Sequence, residues 1–79
     1  MRLKLTWRIN QRDVDLMVNS NQRICDTIKI LYESGYLDVL EADNIQFVKS
    51  HRNLRNINVR LTYENGMIYS GDIIEIIDK

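Results

Sequence analysis

The chain predicts an α+β fold, a mixed sheet of four to five strands with one helix packed across one face. Three observations carry that prediction. Apolar residues alternate with polar ones from Leu3 to Ile9, the spacing lengthens to three and four only from Ile24 to Tyr32, and a Gly71-Asp72 turn launches an isoleucine-rich strand, Ile73 to Ile77. Period two marks a strand with one buried face, and spacings of three and four mark a helix.

Leu3, Leu5, Trp7 and Ile9 interleave with Lys4, Thr6 and Arg8, so the first strand buries one face and wets the other. The polar break Asn10-Gln11-Arg12-Asp13 precedes a second alternation, Val14, Leu16 and Val18 against Asp15 and Met17, which a hairpin joins to the first. Asn19-Ser20-Asn21 offers N-cap side chains for a helix from about Asn21 to Ser34, with the stripe Ile24, Ile28, Leu31 and Tyr32 toward the sheet. Gly35 supplies the left-handed residue that ends it. At 1.5 Å per residue such a helix is roughly 20 Å long, enough to lie across a small sheet.

Tyr36 to Asp43 reads as a connector whose Leu37, Val39 and Leu40 tuck beneath the helix. Ile45-Gln46-Phe47-Val48 restores a strand in which Ile45 and Phe47 share the buried face. Asn53, Asn56 and Asn58 suggest turns between Ser50 and Asn58, with a short edge strand over Ile57 to Leu61. Asn65-Gly66 turns the chain, Met67 and Ile68 return to the core, and Ser70-Gly71-Asp72 leads into the final strand.

The 79 residues form one expected domain, 1–79, and a chain this short buries only about 60–65% of the surface its unfolded form exposes. Apolar residues at 44% and charged ones at 28% exclude disorder and low complexity. No apolar run approaches the ~20 residues of a bilayer span, and Met1-Arg2-Leu3-Lys4 opens no signal sequence, so a cytoplasmic location without membrane insertion is expected. Cys25 is alone, in keeping with a reducing compartment. Eleven basic and eleven acidic side chains cancel, whereas non-specific polyanion binders carry a basic excess.

The order strand, strand, helix, strand, closing strand resembles the ubiquitin-like β-grasp, and more narrowly the small YukD-like proteins associated with bacterial type VII secretion. The hairpin Leu3–Val18, the helix through Ile24, Ile28 and Leu31, and the ending Tyr63-Glu64-Asn65-Gly66-Met67-Ile68-Tyr69-Ser70-Gly71-Asp72-Ile73-Ile74-Glu75-Ile76 carry the resemblance. The Arg- and Asn-rich stretch His51 to Leu61 and Trp7 on the first strand depart from the narrower pattern. The resemblance implies a last strand lying between the first and third strands, and an adaptor or accessory role with a protein partner, no catalytic residues and no cofactor. Members that conjugate or carry sulfur work through a flexible C-terminal Gly-Gly; Gly35, Gly66 and Gly71 are isolated and the sequence closes Ile77-Asp78-Lys79, so a non-conjugated module is expected.

Catalytic chemistry would need Cys25 and His51 within hydrogen-bond reach; the alternative is a packing cysteine and an exposed histidine. Asp38, Glu41 and Asp43 lack the spacing of a calcium loop and read as a solvated connector. Arg23, Asp26, Lys29 and Glu33 alternate in sign at helical spacing, an ordinary wet face. Lys49, His51, Arg52, Arg55 and Arg60 have no acidic residue among them and suit a solvated loop, an acidic protein surface or, as a nucleic-acid-binding module, phosphates. Trp7 and Tyr32 lie on core stripes. If Ile74 and Ile76 face inward, Ile73 and Ile77 face out beside Val48, with Lys4 and Arg8 on the other flank, a candidate protein-binding patch rimmed by charge.

Overall fold

The computed structural model describes residues 1–77. β1 (Arg2–Ile9) and β2 (Arg12–Asn19) form the expected hairpin, in unbroken register from Arg2↔Asn19 to Ile9↔Arg12. Asn10 and Gln11 both take positive φ, 48° and 67°, the conformation of a primed two-residue turn whose twist matches the strands.

α1 (Ile24–Glu33) begins three residues later than the cap signal implied, and its N-cap position, Arg23, makes no side-chain cap. Backbone carbonyls do that work instead. The Ile24 N–H donates to Leu61 O at 3.0 Å and the Cys25 N–H to Val59 O at 2.8 Å, while Arg23 bridges Thr62. Two of the helix's orphan donors are thereby satisfied by a segment distant in sequence. The C-terminus behaves as expected: Gly35, at φ +86°, donates to Tyr32 O, and the Tyr36 N–H donates to Leu31 O, closing a Schellman motif.

The connector contains a second helix, α2 (Val39–Asn44). Asp38 Oδ1 accepts from the Glu41 N–H at 2.7 Å and Glu41 Oε1 accepts from the Asp38 N–H, a capping box built from two of the three clustered acids. Leu37 is buried as expected, but Val39 and Leu40 are exposed, because the short helix presents them to solvent.

β3 (Phe47–Ser50), β4 (Arg55–Asn58) and β5 (Ile73–Ile76) complete a five-stranded sheet in the order β2-β1-β5-β3-β4. β5 lies parallel to β1 and antiparallel to β3, in the anticipated central place. Ile45 is buried, but as the residue closing α2, outside the ladder. β3 therefore starts at Phe47 with the opposite parity: Val48 and Ser50 point inward and Phe47 outward. β4 ends at Asn58, earlier than expected, because residues 59–62 turn away to meet α1; Val59 is buried and Leu61 exposed. Met67 is exposed while Ile68 is buried, and Tyr32 is 43% exposed, at the rim of the helical stripe rather than in the core.

The core joins Leu3, Leu5, Trp7 and Ile9 of β1 and Ile74 of β5 to Ile24, Ile28 and Leu31 of α1. Tyr63 enters from the loop before β5 and its hydroxyl bonds Thr27 Oγ1. A Cβ on Gly66 would come within 2.9 Å of Ile57 Cγ2, so only glycine lets that loop close over β4.

Ile28, 4% exposed, sits in the middle of this core. Ile28→Ala should cost about 2–5 kcal/mol in chemical denaturation; a loss below about 1 kcal/mol would place the side chain outside the core. Burial pushes the Tyr63 phenol well above its ordinary 10.0. The unfolded phenol therefore ionises first, and this contribution to stability is complete below pH 10 and declines as pH rises beyond it. The melting temperature should fall above that pH, and Tyr63→Phe should flatten the fall while costing about 1–3 kcal/mol at neutral pH through the unpaired Thr27 hydroxyl.

Candidate functional site

The face of the sheet opposite α1 is built in rows fixed by strand register. One row aligns Asp13, Arg8, Glu75, Lys49 and Asn56 across all five strands. Its signs alternate. Arg8 Nε donates to Asp13 Oδ1 at 3.0 Å, which holds the Asp13 carboxyl below its ordinary range and raises Arg8. Glu75 Oε1 lies 2.8 Å from His51 Nε2. In the neighbouring row Thr6 Oγ1 donates to Asp15 Oδ1 at 2.8 Å and Ile73 aligns with Thr6.

The vertical position of β5 is set by Asp72, which is 2% exposed. Its Oδ1 accepts from the N–H groups of Ile73 and Arg52 at 2.8 and 3.0 Å, its Oδ2 accepts from the Ser50 hydroxyl, and its carbonyl accepts from the Thr6 N–H. Asp72 thus ties the start of β5 to β1 on one side and to the β3–β4 turn on the other.

Ile74 faces inward, and Ile76 packs on the core from the edge, as expected; Ile73 and Ile77 are half-buried on the outer side. Val48 is not beside them. It is fully buried and pairs with inward-facing Ile76, so the expectation of an exposed Val48 is corrected by the parity change at Ile45. Phe47, 39% exposed, takes its place on the outer face, at the end where the β3–β5 ladder closes with Val48↔Ile76, and Ile77 follows β5 at that same end. Glu75 separates this pair from Ile73, so the apolar surface is split rather than continuous. Arg8 flanks Glu75, whereas Lys4 lies farther along β1, its N–H bonded to Ser70 Oγ. Phe47 escaped sequence reasoning because a local alternation of Ile45 and Phe47 pointed it inward; the capping spacing Asp38-x-x-Glu41 was the available signal that Ile45 belongs to a helix end.

The basic residues do not converge. Lys49 and His51 lie on the outer face against Glu75. Arg52 is exposed on the turn, and Arg55 pairs with inward-facing Ser50 and reaches Gly66 O at 3.4 Å. Arg60 follows the far end of β4, about 13 Å of strand away. Cys25 and His51 are also separated: the thiol lines a groove with Ile28, Tyr32, Ala42 and Val59 on the helical side, while His51 bonds an outer-face carboxylate. Among the described residues no group of three His, Cys, Asp or Glu side chains could hold a metal ion, and no helix is long and apolar enough to cross a membrane.

No protein-family model matches the chain, and neither does any curated protein. Solved structures do. A designed protein based on ubiquitin superposes with a TM-score of 0.75 at 21% identity, covering 96% of this chain and 87% of that one. The N-terminal ubiquitin-like domain of the 4931431F19Rik protein gives 0.73 at 9% identity, covering 99% and 75%. The C-terminal ubiquitin-like domain of mouse tubulin-specific chaperone e gives 0.69 at 11% identity, covering 95% and 84%. The fold is the ubiquitin-like β-grasp.

Asp72→Ala would leave buried donors on Ser50, Arg52 and Ile73 unpaired and should cost about 2–5 kcal/mol, against a smaller loss for Asp72→Asn, which keeps one acceptor oxygen. Denaturation of the two variants side by side checks the ranking; equal losses would mean that the Oδ1 bonds to Ile73 and Arg52, which Asn keeps, do not hold β5 in place.

Proposed function

We propose that this protein is a non-conjugated, cytoplasmic adaptor that binds a protein partner through the outer face of its sheet, without catalysis or cofactor. The carrying observation is the exposure of Phe47 at one end of that face, where half-buried Ile77 follows β5, next to a row of alternating charge. Apolar contact supplies affinity at such a surface, and the charged row supplies orientation and partner choice. Arg8 is already paired with Asp13 and Glu75 with His51, so the charged row alternates in sign and suits a partner of mixed charge better than a polyanion. The expectation of a non-conjugated module, read from Ile77-Asp78-Lys79, falls on Asp78 and Lys79, which lie outside the described residues.

The narrower proposal, an accessory of type VII secretion, is supported by the resemblance of the ending Tyr63 to Ile76 to YukD-like proteins. A nucleic-acid role for Lys49, His51, Arg52, Arg55 and Arg60 is weakened by their dispersal over two faces and both ends of β4.

Partner recovery from native extract, identified by mass spectrometry, tests the reading when paired with melting temperatures. Phe47→Asp and Ile77→Asp should retain most of the melting temperature and lose the partner. Undiminished recovery would remove the outer face as the binding site, and unfolding of both variants would make Phe47 and Ile77 core residues. Binding that falls steeply with salt and is abolished by Arg52→Glu would favour the nucleic-acid alternative.

A further inference from the structure

β2 is the longer edge of the sheet, and the usual devices that keep an edge from pairing are missing. Its register with β1 has no bulge, the chain has no proline, and no strand pairs with its free side among the described residues. The two-residue turn makes Ile9 and Arg12 a hydrogen-bonded pair, and alternation then commits the backbones of Val14, Leu16 and Val18 to β1. The same parity turns Lys4 and Thr6 toward β5, where they meet Ser70, Gly71 and Asp72. The backbones of Asp13, Asp15, Met17 and Asn19 consequently point off the edge. Asn19 is satisfied by Gln22, through Oε1 and the N–H, each at 3.0 Å. Those of Asp13, Asp15 and Met17 have no partner among the described residues.

The carboxylates that could repel a neighbouring strand are drawn back onto β1, Asp13 to Arg8 and Asp15 to Thr6. On the helical side Val14 and Leu16 pack against the core yet stay half-exposed, so apolar surface runs to the rim. On the outer side Arg2 and Lys4 have no ion-pair partner among the described residues.

We propose that β2 pairs antiparallel with β2 of a second copy of this chain, about a two-fold axis at Leu16, making one continuous sheet. In that register Leu16 meets Leu16 of the partner subunit and Val14 meets Val18 of the partner subunit, covering the half-exposed apolar rim. Asp15 and Met17 of the partner subunit exchange ladder hydrogen bonds, as does the symmetry-related pair. Asp13 and Asp15 arrive on the outer face in the rows of Arg2 and Lys4 of the other copy, which supplies charge complementarity to two unpaired cations. The neighbouring register, centred on Asp15, opposes Asp15 to Asp15 of the partner subunit and is disfavoured by like charge. A single strand pair buries less than the ~1,000 Å² of a standard specific interface, so the dimer grows in with concentration.

Sedimentation velocity and amide exchange of the full chain, from micromolar to millimolar, test the proposal. The expected result is a mass rising toward twice the monomer while the Asp15 and Met17 amides slow and the Asp13 amide keeps exchanging. Met17→Pro removes an edge-facing donor that β1 does not use, and should stay folded and monomeric throughout. A monomeric wild type at every concentration would overturn the proposal. So would a dimer in which Asp15 and Met17 exchange freely, or one that a folded Met17→Pro variant still forms.

Discussion

Asp72 is the point on which the rest of the sheet depends. A buried carboxylate is tolerated only where hydrogen bonds replace its hydration, and here donors from Ser50, Arg52 and Ile73 do so. Those three come from the end of β3, the turn after it and the start of β5, while the Asp72 carbonyl holds Thr6 of β1. A shift of β5 by one residue would break this set and exchange Ile74 for Glu75 in the core, because side chains alternate faces. The same carboxylate therefore determines both what is buried and what the outer face displays.

A second long-range constraint shapes the helix. α1 starts where its N–H groups reach the carbonyls of Leu61 and Val59, not where Asn19, Ser20 and Asn21 offered caps. Nothing in a local pattern announces such a partner, since it arrives from almost forty residues away in the chain. That contact also explains why β4 stops at Asn58: the next residues are committed to the helix. Period and turn chemistry made β1, β2, the body of α1, the Gly35 terminus and β5 legible, because each is specified by neighbours in sequence. The remaining differences, at α1's start, β4's end and the exposed Tyr32, arise where tertiary hydrogen bonding or packing decides.

The candidate site follows the same division. Ile73 and Arg8 follow from alternation within strands whose parity is locally fixed. Val48 turns inward because α2 takes Ile45 out of the strand, and a single residue's change of parity exchanges Val48 for Phe47 on the outer face. The basic segment fails as a unit for a related reason, since contiguous residues on a hairpin are divided between two faces and two ends.

The edge and the outer patch are independent surfaces, and their geometry couples them. An antiparallel strand pair of this kind has its two-fold axis perpendicular to the sheet, so both outer faces of the proposed dimer lie on the same side. Phe47 on β3 and the end of β5 sit two to three strand spacings from β2. At about 4.8 Å per spacing across the strands and 3.3 Å per residue along them, with the patch about five residues from the axis row, the two copies of the patch would lie roughly 45 Å apart. A partner carrying two recognition segments joined by a linker that spans this distance would engage both copies at once, and its second contact would form intramolecularly. Self-association would then adjust the affinity of the proposed adaptor, whose single patch is small, without any change in the patch itself.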